Sequence, residues 1–564
     1  MSLFSSIQLA NNALRAQQIG LQVVGQNISN ANTPGYIREE LVLTPSSTQR
    51  LGSLLLGLGV DVTAVIQKVD RFVEERLRGA ISDRTSAESQ EKTYLELESL
   101  VGELGDNDLS TSLNKFFASI SEIANQPESV AARNLAVLQG QTLAGDINRL
   151  ALRVGQNRAD LNSRISSVTD DANRLIEEIR KLNLRITETE GGVTASDAVG
   201  LRDQRGLALA ELSKLINIRV TEQVGGAVNV YAGGDYLVFE GSARQLTISQ
   251  ESDRGLTIAN VRIAEIDAPL ASPSGELHGL LAGRDEILGG FLDTLDGFAS
   301  TLIFEFNKVF SSGQGLNGYR ELTSEFAVDD ANNPLDAAGL TFTPQNGSFN
   351  VLVYDQQTGL TQTTQILVDL NGLDQDTSLA DLAAALDAVD GISANVDSEG
   401  KLTIQSDSAT QQFGFAADTS GVLAALGING FFSGTTARGI AVQEAISSDP
   451  SKFAASRSGI GVDTENVLDL ANFLDRPLDS SDGASLGILY QRLAAETTQA
   501  STVSQSVADG AREFEAALEG QHLSISGVSL DEETVRLISY QRAFQASAKY
   551  IATLSDLLGI LVNL

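Results

Sequence analysis

Several residue types are absent or scarce in this chain of 564 residues. It contains no cysteine and no tryptophan, one methionine, and only two histidines, His278 and His522. Without cysteine there is no disulfide framework, no thiolate zinc site and no thiol nucleophile. Two isolated histidines form neither an HExxH zinc motif nor a Ser-His-Asp grouping. We therefore expect no enzyme activity and no cofactor.

Long apolar runs and basic residues are also scarce. The longest apolar run, Leu557 to Val562, is far shorter than the roughly 20 residues that span a bilayer. The segment Met1 to Ser6 lacks the basic and apolar regions of a secretory signal. Lys and Arg number 39 against 73 Asp and Glu, which gives a net charge of −34. Such a field repels nucleic acid and anionic lipid. Composition alone thus predicts a cytoplasmic protein with no nucleic acid partner and no membrane insertion.

Two short patterns suggest ligand sites but lack the residues that the chemistry requires. The acidic stretch Asp369 to Asp376 has its Gly at the fourth position and no closing Glu, unlike a calcium loop. It favours a polar turn before a helix. Gly57 and Gly59 are not followed by the Lys-Ser/Thr of a phosphate-binding loop. Neither pattern predicts a metal or nucleotide site.

Both ends of the chain carry heptad patterns. Near the N-terminus the apolar positions alternate in steps of four and three, which predicts a helix with an a/d seam. A similar seam near the C-terminus follows Ser529 and Glu532, a capping-box pair. The N-terminal seam consists of Leu3, Ile7, Ala10, Leu14, Leu21, Val24 and Ile28. The C-terminal seam consists of Leu530, Leu537, Tyr540, Phe544, Ile551, Leu554, Leu558 and Leu561.

Either helix alone would be interpreted as the amphipathic cover of one core. Because chain ends fray unless something holds them, two such seams at opposite ends predict a coiled coil between the ends or with neighbouring subunits. We expect these seams to form an assembly interface. Within it, the residues expected to pack against one another are Leu14, Leu21, Val24 and Ile28 on one helix and Leu537, Phe544, Ile551 and Leu558 on the other.

The N-terminal seam ends in the string Asn27-Ile28-Ser29-Asn30-Ala31-Asn32-Thr33-Pro34-Gly35-Tyr36. Pro34 forces Thr33 out of the helical region, and Pro-Gly favours a tight turn, so the string predicts a helix stop. It resembles the signature of the axial proteins of the bacterial flagellum, and Ser539 to Ser547 resembles their C-terminal signature. The residues of the signature turn are Asn27, Asn30, Asn32, Thr33, Pro34, Gly35 and Tyr36.

Two internal sequence blocks indicate which family of axial proteins the chain resembles most. The block Leu201-Arg202-Asp203-Gln204-Arg205 and the block from Gly275 to Asp285 resemble the hook-associated protein 1 family. Gly206 stands where the motif of that family continues with Asp. Rod proteins are much shorter than this chain, and flagellin lacks the Thr-Pro-Gly-Tyr turn.

The resemblance implies a structural subunit that forms the first layer of the hook–filament junction and is needed for filament assembly. It implies unfolded export through the type III apparatus with an export chaperone, and an extracellular location. The implied partners are further copies in a ring-like layer, the flagellar hook protein and the second junction protein, hook-associated protein 3. Two alternatives remain open: a hook or other axial protein, and a secreted adhesin or enzyme that acts through an inserted domain.

The predicted fold is mainly α with β, as a discontinuous multi-domain axial protein. Residues 1–75 with 525–564 form the terminal coiled-coil domain. Residues 76–324 with 438–524 form a helical rod that includes a long helix over 143–186 and antiparallel strands over 216–270. Residues 325–437 form an inserted, solvent-facing α+β domain. Frequent Gly and Asn around Ser311–Gly318 predict a linker before the insert.

Overall fold

The computed structural model describes residues 3–51, 54–102, 108–191, 196–373, 375–461 and 463–562. Helices account for 55% of the chain and strands for 18%, and the strands form several small antiparallel sheets. The predicted class, mainly α with β and with paired terminal helices, is confirmed.

The α-helices begin and end as follows: α1 Leu3–Asn30, α2 Arg71–Gly102, α3 Leu109–Asn125, α4 Val130–Glu190, α5 Val199–Leu215, α6 Glu276–Ala282, α7 Gly289–Phe310, α8 Leu379–Asp387, α9 Val422–Leu426, α10 Glu444–Ser448, α11 Glu465–Ala471, α12 Leu486–Ser526 and α13 Leu530–Val562. A π-helical turn, Gly283–Leu288, joins α6 to α7.

The strands are β1 Glu39–Pro45, β2 Thr48–Leu51, β3 Leu54–Gly57, β4 Val60–Gln67, β5 Arg219–Glu222, β6 Val228–Ala232, β7 Asp235–Phe239, β8 Ser242–Ala243, β9 Leu246–Asp253, β10 Leu256–Ile263, β11 Ala268–Pro269, β12 Glu321–Thr323, β13 Gly347–Asp355, β14 Leu360–Val368, β15 Ile392–Val396, β16 Leu402–Ser406, β17 Gln411–Ala416, β18 Phe432–Ser433 and β19 Ala441–Val442.

The chain groups into two compact units. Unit 1 comprises Met1–Thr93, Ala159–Asp285 and Thr502–Leu564, and unit 2 comprises Tyr94–Arg158 and Glu286–Ser501. The three-part domain division expected from the sequence remains a prediction.

Unit 1 is built around a helix that packs on two small sheets. Strands β5 to β8 form one antiparallel sheet, and β9 to β11 form another. The buried face of α4, with Ile165, Ile176 and Ile179, lies in one core with Val230 and Ile263 of the strands. This core explains the alternating pattern of residues 216–270, because one face of each strand is covered and the other is solvated.

The long helix predicted over 143–186 lies inside α4, and its seam is buried almost throughout. Completely or almost completely buried members are Leu143, Ile147, Leu150, Val154, Ile165, Val168, Ala172, Ile179, Leu182 and Ile186. Leu161 and Leu175 are only half-buried. The period of the apolar residues therefore predicted this helix correctly.

Unit 2 contains a cluster of phenylalanine rings and an α+β core. The rings of Phe116, Phe306 and Phe431 lie with their centroids 5.4 to 5.5 Å apart. Strands β13, β14 and β17 form a three-stranded sheet. Its buried side chains lie in one core with those of helix α8. Helix α8 begins at the predicted cap, where Ser378 and Asp381 form a reciprocal capping box.

The linker predicted at Ser311–Gly318 is wrong. Ser311 to Gly315 are buried, and Gln314 exchanges backbone hydrogen bonds with Ser456 at 2.8 and 3.0 Å. Gly315 has no room for a Cβ, which would come 2.5 Å from the Ser451 carbonyl oxygen. Small residues here permit close backbone packing rather than flexibility, and composition alone does not distinguish the two.

Within the part of the chain that the structure describes, one helical segment, Glu276–Phe310, is long and apolar enough to cross a membrane by length and composition. Its most apolar window is 56% buried within the protein, as in the core helix of a soluble domain. Leu302, Ile303 and Phe306 are fully buried in it. The sequence prediction considered only continuous apolar runs and missed this segment.

Candidate assembly interface

The first and last helices of the chain pack against each other in unit 1. Asn27, near the end of α1, hydrogen-bonds Glu533, near the start of α13, at 3.1 Å. Seven residues earlier in α1, Gly20 lies against the ring of Tyr540, seven residues further along α13. A Cβ at Gly20 would lie 2.7 Å from Tyr540 Cε1. The two helices are therefore antiparallel, and glycine permits their close approach.

The buried line of α1 is made mainly of small residues. Its members are Ser6, Ala10, Ala16, Gly20, Val23, Val24 and Asn27. Of the predicted N-terminal seam, Val24 and Ala10 are buried, whereas Ile7, Leu14, Leu21 and Ile28 are half-buried on the flank of this line. The side chain of Leu3 lies outside the described residues. The larger apolar side chains of the predicted seam are thus only partly buried within one copy of the chain.

On α13 the predicted seam runs along the contact face. Leu554 is buried, and Leu537, Tyr540, Ile551 and Leu558 are half-buried. Leu530 and Phe544, also predicted seam residues, are 50% and 36% exposed, and the side chain of Leu561 lies outside the described residues. The structure brings these residues to the same helix pair as the N-terminal seam. Their role in contacts between copies remains a prediction.

The outer face of α13 carries a second set of apolar side chains that one copy leaves exposed. The exposed members, in chain order, are Val535, Ile538, Tyr550, Leu557 and Ile560. We call them the outer apolar residues of α13. Phe4 of α1 is 77% exposed. Single exposed apolar residues are ordinary, but five on the outer face of one terminal helix form an extended surface of the kind that marks a protein interface.

The signature turn follows α1 directly, because α1 ends at Asn30. The Thr33 amide donates to the Asn30 carbonyl at 2.9 Å, and the Tyr36 amide donates to the Thr33 carbonyl at 3.2 Å. Gly35 has φ +75°, and a Cβ at this position would collide with the side chain of Leu207. Asn32 and Pro34 are exposed. The predicted helix stop is confirmed.

Asn27 is the polar centre of this turn and is completely buried. Its Nδ2 donates to the Glu39 carbonyl at 3.0 Å and to Glu533 Oε2 at 3.1 Å. Its Oδ1 accepts from the Glu39 amide at 2.9 Å and from the Tyr36 hydroxyl at 2.8 Å. Asn suits this site because its amide supplies both donors and acceptors. One side chain therefore joins α1, the turn, β1 and α13.

Arg38 and Glu533 form a buried ion pair that sequence reasoning missed. Arg38 Nε and Nη2 both donate to Glu533 Oε1, at 2.9 and 2.6 Å. Arg38 Nη2 also lies 2.8 Å from Glu532 Oε2. The predicted reciprocal cap of α13 is thus only half made: the Glu532 amide donates to Ser529 Oγ at 3.4 Å, while the Glu532 carboxylate contacts Arg38. The sequence offered no signal for this pair beyond an acidic first turn.

The first internal block docks on the exit of the turn through Asp203. Asp203 Oδ1 accepts from Gln67 Nε2 at 2.6 Å and from the Ile37 amide at 3.3 Å. Burial raises the pKa of the Asp203 carboxyl to about 6, although these hydrogen bonds lower it. Burial, and then the charge of Asp203, raises the pKa of Glu39. The first internal block and the segment that leaves the signature turn are therefore joined directly by hydrogen bonds.

The second internal block has structural contacts too. His278 Nδ1 lies 3.0 Å from Ser86 Oγ. Arg284, fully buried in the π-helical turn, donates to Asn162 Oδ1 at 2.9 Å and to the Ala259 carbonyl at 2.7 Å. These contacts tie the turn to α4 and β10. His278 and Arg284 therefore both take part in hydrogen bonding inside unit 1.

The acidic stretch at Asp369–Asp376 forms a polar turn in its described part. Asp376 Oδ1 accepts from the Gly372 amide at 2.9 Å, and Asn371 Oδ1 accepts from the Leu373 amide at 2.8 Å. Asp374 lies outside the described residues. Among the described residues, three or more His, Asp or Glu side chains nowhere gather in a way that could hold a metal ion.

Three family models match separate parts of the chain. Residues 94–325 match the flagellar hook-associated protein FlgK helical domain. Residues 7–36 match the flagella basal body rod protein, and residues 519–564 match the C-terminal region of the flagellar basal body rod FlgEFG proteins. The two terminal matches coincide with α1 and its turn and with α13.

Three relatives that match over nearly their full length are all named flagellar hook-associated protein 1. Flagellar hook-associated protein 1 of Salmonella typhimurium is 26% identical, with 99% of this chain and 100% of the relative covered. The Escherichia coli protein of that name is 24% identical over the same shares. The Bacillus subtilis protein is 22% identical, with 100% of this chain and 98% of the relative covered.

A solved structure has a similar fold. The flagellar hook junction protein FlgK from Burkholderia pseudomallei matches with a TM-score of 0.50 at 14% sequence identity, covering 80% of this chain and 100% of that chain. Domain models, full-length relatives and fold agree with the turn and terminal helix pair described above. The chain is therefore similar over its full length to flagellar hook-associated protein 1 and is a structural protein of the bacterial flagellum, an extracellular appendage.

Proposed function

We propose that this chain forms the first layer of the hook–filament junction, and that the α1/α13 pair is the surface through which its copies assemble. The names of the relatives and of the structural neighbour support the junction role. The geometry of the chain ends supports the assembly role. In this proposal the chain acts as a structural adaptor and not as an enzyme, because its contribution is to pack against neighbouring subunits.

One observation carries the proposal: the helix pair at the chain ends exposes large apolar side chains. Val535 is 69% exposed and Ile560 is 60% exposed, although both lie on a helix whose other face is packed. Removing apolar surface from water contributes about 25 cal/mol per Å². Neighbouring copies that cover the outer apolar residues of α13 would gain this energy, and a single copy cannot. Leu14 and Leu21 of α1 are only half-buried and leave further apolar surface for a neighbouring copy to cover.

The proposed partners are the proteins that would lie next to this chain if it forms a layer between the hook and the filament. Copies of this chain would contact one another side by side in a ring-like layer. The flagellar hook protein would lie below that layer, and the second junction protein, hook-associated protein 3, above it. An export chaperone would cover the apolar terminal helices before export through the type III apparatus. Covering them before assembly would prevent premature association of exposed apolar surface.

A charge placed on the outer face of α13 tests the assembly role. Val535→Asp puts a carboxylate where a neighbouring copy is proposed to pack, and does not touch the face that contacts α1. The matched control is Leu360→Asp on β14, because Leu360 is 70% exposed and receives the same change outside the proposed surface. Each variant is expressed in a strain that lacks the native copy, and filaments are counted by electron microscopy.

We expect Val535→Asp to give mostly hooks without filaments, with flagellin lost to the medium. Leu360→Asp should restore filaments at the wild-type frequency. The two purified variants should unfold at the same temperature as the wild type within about 2 °C, because both positions are exposed. Normal filaments with Val535→Asp would contradict the proposed surface.

Deleting residues 530–564 distinguishes the junction from the hook alternative. A junction subunit without its last helix should leave complete hooks that carry no filament. A hook protein without it should leave no hooks at all. Normal filaments would show that the α1/α13 pair is dispensable.

A further inference from the structure

A polar cavity of about 220 Å³ lies in unit 1 beside the first internal block. Its wall includes Arg78 of α2 and Arg205 and Gly206 of α5, and Ile37 at the exit of the signature turn also lines it. The volume is below the 300 to 1,000 Å³ typical of sites for drug-sized ligands. Such a cavity suits a small ion with a few water molecules.

Arg205 is a buried cation without a carboxylate partner among the described residues. Only 5% of the residue is exposed. Its Nη1 donates to the Gly226 carbonyl at 2.5 Å and to Asn183 Oδ1 at 3.1 Å. Both acceptors are neutral, and within the described chain Nε and Nη2 make no hydrogen bond. Glu222, Glu190 and Glu74 favour its charge only from a distance, without contact, and a buried charge without a contacting counter-charge is unfavourable, so the site favours a bound anion.

Arg78 is a second under-satisfied guanidinium in the same wall. Its Nε is buried and has no hydrogen-bond partner in the described part of the chain. Its ion pair is a long one, 3.5 Å from Nη1 to Glu74 Oε2. Two arginines that line one small cavity therefore both have unused donors.

The other two arginines of the wall, Arg71 and Arg202, are already paired with carboxylates. Arg202 pairs with Glu190 at 2.7 Å and with Glu222 at 2.8 Å. Arg71 pairs with Glu222 at 2.6 Å. The lining arginines Arg71, Arg78, Arg202 and Arg205 are balanced by the lining carboxylates Glu74, Glu75, Asp197 and Glu222. A wall without net charge attracts no polyanion, but the unused donors of Arg205, with the weakly paired Arg78 beside them, can bind one small oxyanion.

We propose that this cavity binds a small oxyanion, of the phosphate or carboxylate type, between Arg78 and Arg205. The planar guanidinium fork matches the oxygens of phosphate and carboxylate groups and binds them through paired, charge-assisted hydrogen bonds. Because Ile37 lies in the same wall, a bound anion stabilises the region from which the chain enters the α1/α13 pair. This site is independent of the assembly surface proposed above.

Gly206 allows the anion to be replaced by a tethered carboxylate. A Cβ at Gly206 meets nothing within 4 Å, and the residue lines the cavity. Gly206→Asp therefore places an acidic group beside the arginines. Gly200→Asp is the matched control, since Gly200 lies on the same helix, is exposed and also has open space at its Cβ.

The test uses the purified full-length chain and its thermal unfolding midpoint. Wild type and variants are compared in sodium phosphate, sodium acetate and sodium chloride at equal pH and ionic strength. We expect phosphate or acetate to raise the wild-type midpoint by about 2 °C or more over chloride at saturating concentration. The anion with the larger effect identifies the ligand type, and titration calorimetry on the wild type should show one site per chain.

The variants separate binding from the general stabilisation that phosphate gives to proteins. Gly206→Asp should raise the midpoint in chloride and abolish the anion-specific shift, whereas Gly200→Asp should retain that shift. Arg78→Gln should reduce it, and this variant decides the matter if Gly206→Asp does not fold. Equal wild-type midpoints in all three salts, or a shift that persists in both Gly206→Asp and Arg78→Gln, would overturn the proposal.

Discussion

Arg38 binds Glu533 across 495 residues of chain, with Nη2 2.6 Å from Oε1 and the Glu533 side chain fully buried. Asn27 donates to the other oxygen of the same carboxylate at 3.1 Å. A single buried carboxylate thus holds the segment just after the signature turn against the first turn of α13. This arrangement fixes where the chain leaves the α1/α13 pair.

Removal of this carboxylate should be costly. Glu533→Gln leaves Arg38 buried without its main counter-charge, and breaking a buried pair in this way typically costs about 3 kcal/mol or more. We expect a clear drop in the urea midpoint of unit 1, followed by circular dichroism. Glu532→Gln is the control, because Glu532 is 62% exposed and exposed ion pairs contribute little to stability. Equal losses in the two variants would mean that burial of Glu533 does not matter.

The polar centre of the signature turn should be more sensitive than its tip. Asn27→Ala removes four hydrogen bonds and leaves buried backbone groups of Glu39 without partners. At about 1 kcal/mol for each net hydrogen bond, we expect a loss of about 2 to 4 kcal/mol in chemical unfolding. Asn32→Ala at the exposed tip should change stability by less than about 0.5 kcal/mol. A larger effect at Asn32 would argue against this account of the signature.

A glycine comparison tests the shape of the turn. Gly35→Ala forces a Cβ into Leu207 at a left-handed backbone position, and we expect a loss of about 2 kcal/mol. Gly25→Ala is the opposite case, because Gly25 is helical and its Cβ would meet nothing within 4 Å. That change should stabilise α1 by up to about 1 kcal/mol. Thermal unfolding of both variants measures the difference, and a stabilising Gly35→Ala would contradict the structure.

Asp203 should make stability depend on pH. Burial raises the pKa of its carboxyl from 3.8 to about 6 in the folded chain. Between these values the folded chain holds a proton that the unfolded chain releases, so the stability from this group is present below about pH 4 and is lost as pH rises through 6. Asp203→Asn keeps an acceptor for Gln67 and removes the titration.

We expect Asp203→Asn to be more stable than the wild type at pH 7 by about 1 kcal/mol, after discounting for partial exposure. The difference should shrink towards pH 4. Urea titrations at pH 4, 5, 6 and 7 measure it. Glu211→Gln, an exposed change on the same helix, should follow the wild-type profile; an identical profile for Asp203→Asn would exclude the role assigned to this carboxyl.

Local patterns predicted the elements well but not always their packing faces. The period of α4 and the cap of α8 could be read directly, because a helix and its cap depend on residues only a few positions apart. For α1 the predicted seam favoured Leu14 and Leu21, yet the buried line passes through Ala16 and Gly20. Hydrophobicity alone selects the larger side chains, whereas close antiparallel packing beside Tyr540 requires small ones.

By itself the sequence determined the two terminal helices, the stop at Pro34 and Gly35, the small sheets of residues 216–270 and the family resemblance. All of these rest on residues that are close together along the chain. Only the tertiary structure showed that Arg38 pairs with Glu533, that Asn27 bonds four groups, and that Arg78 and Arg205 line one cavity. Such contacts join residues that are far apart in sequence. A single sequence contains no local pattern that indicates which of these distant residues will meet. The physical reason is that burial, not residue type, decides which polar side chains must find partners.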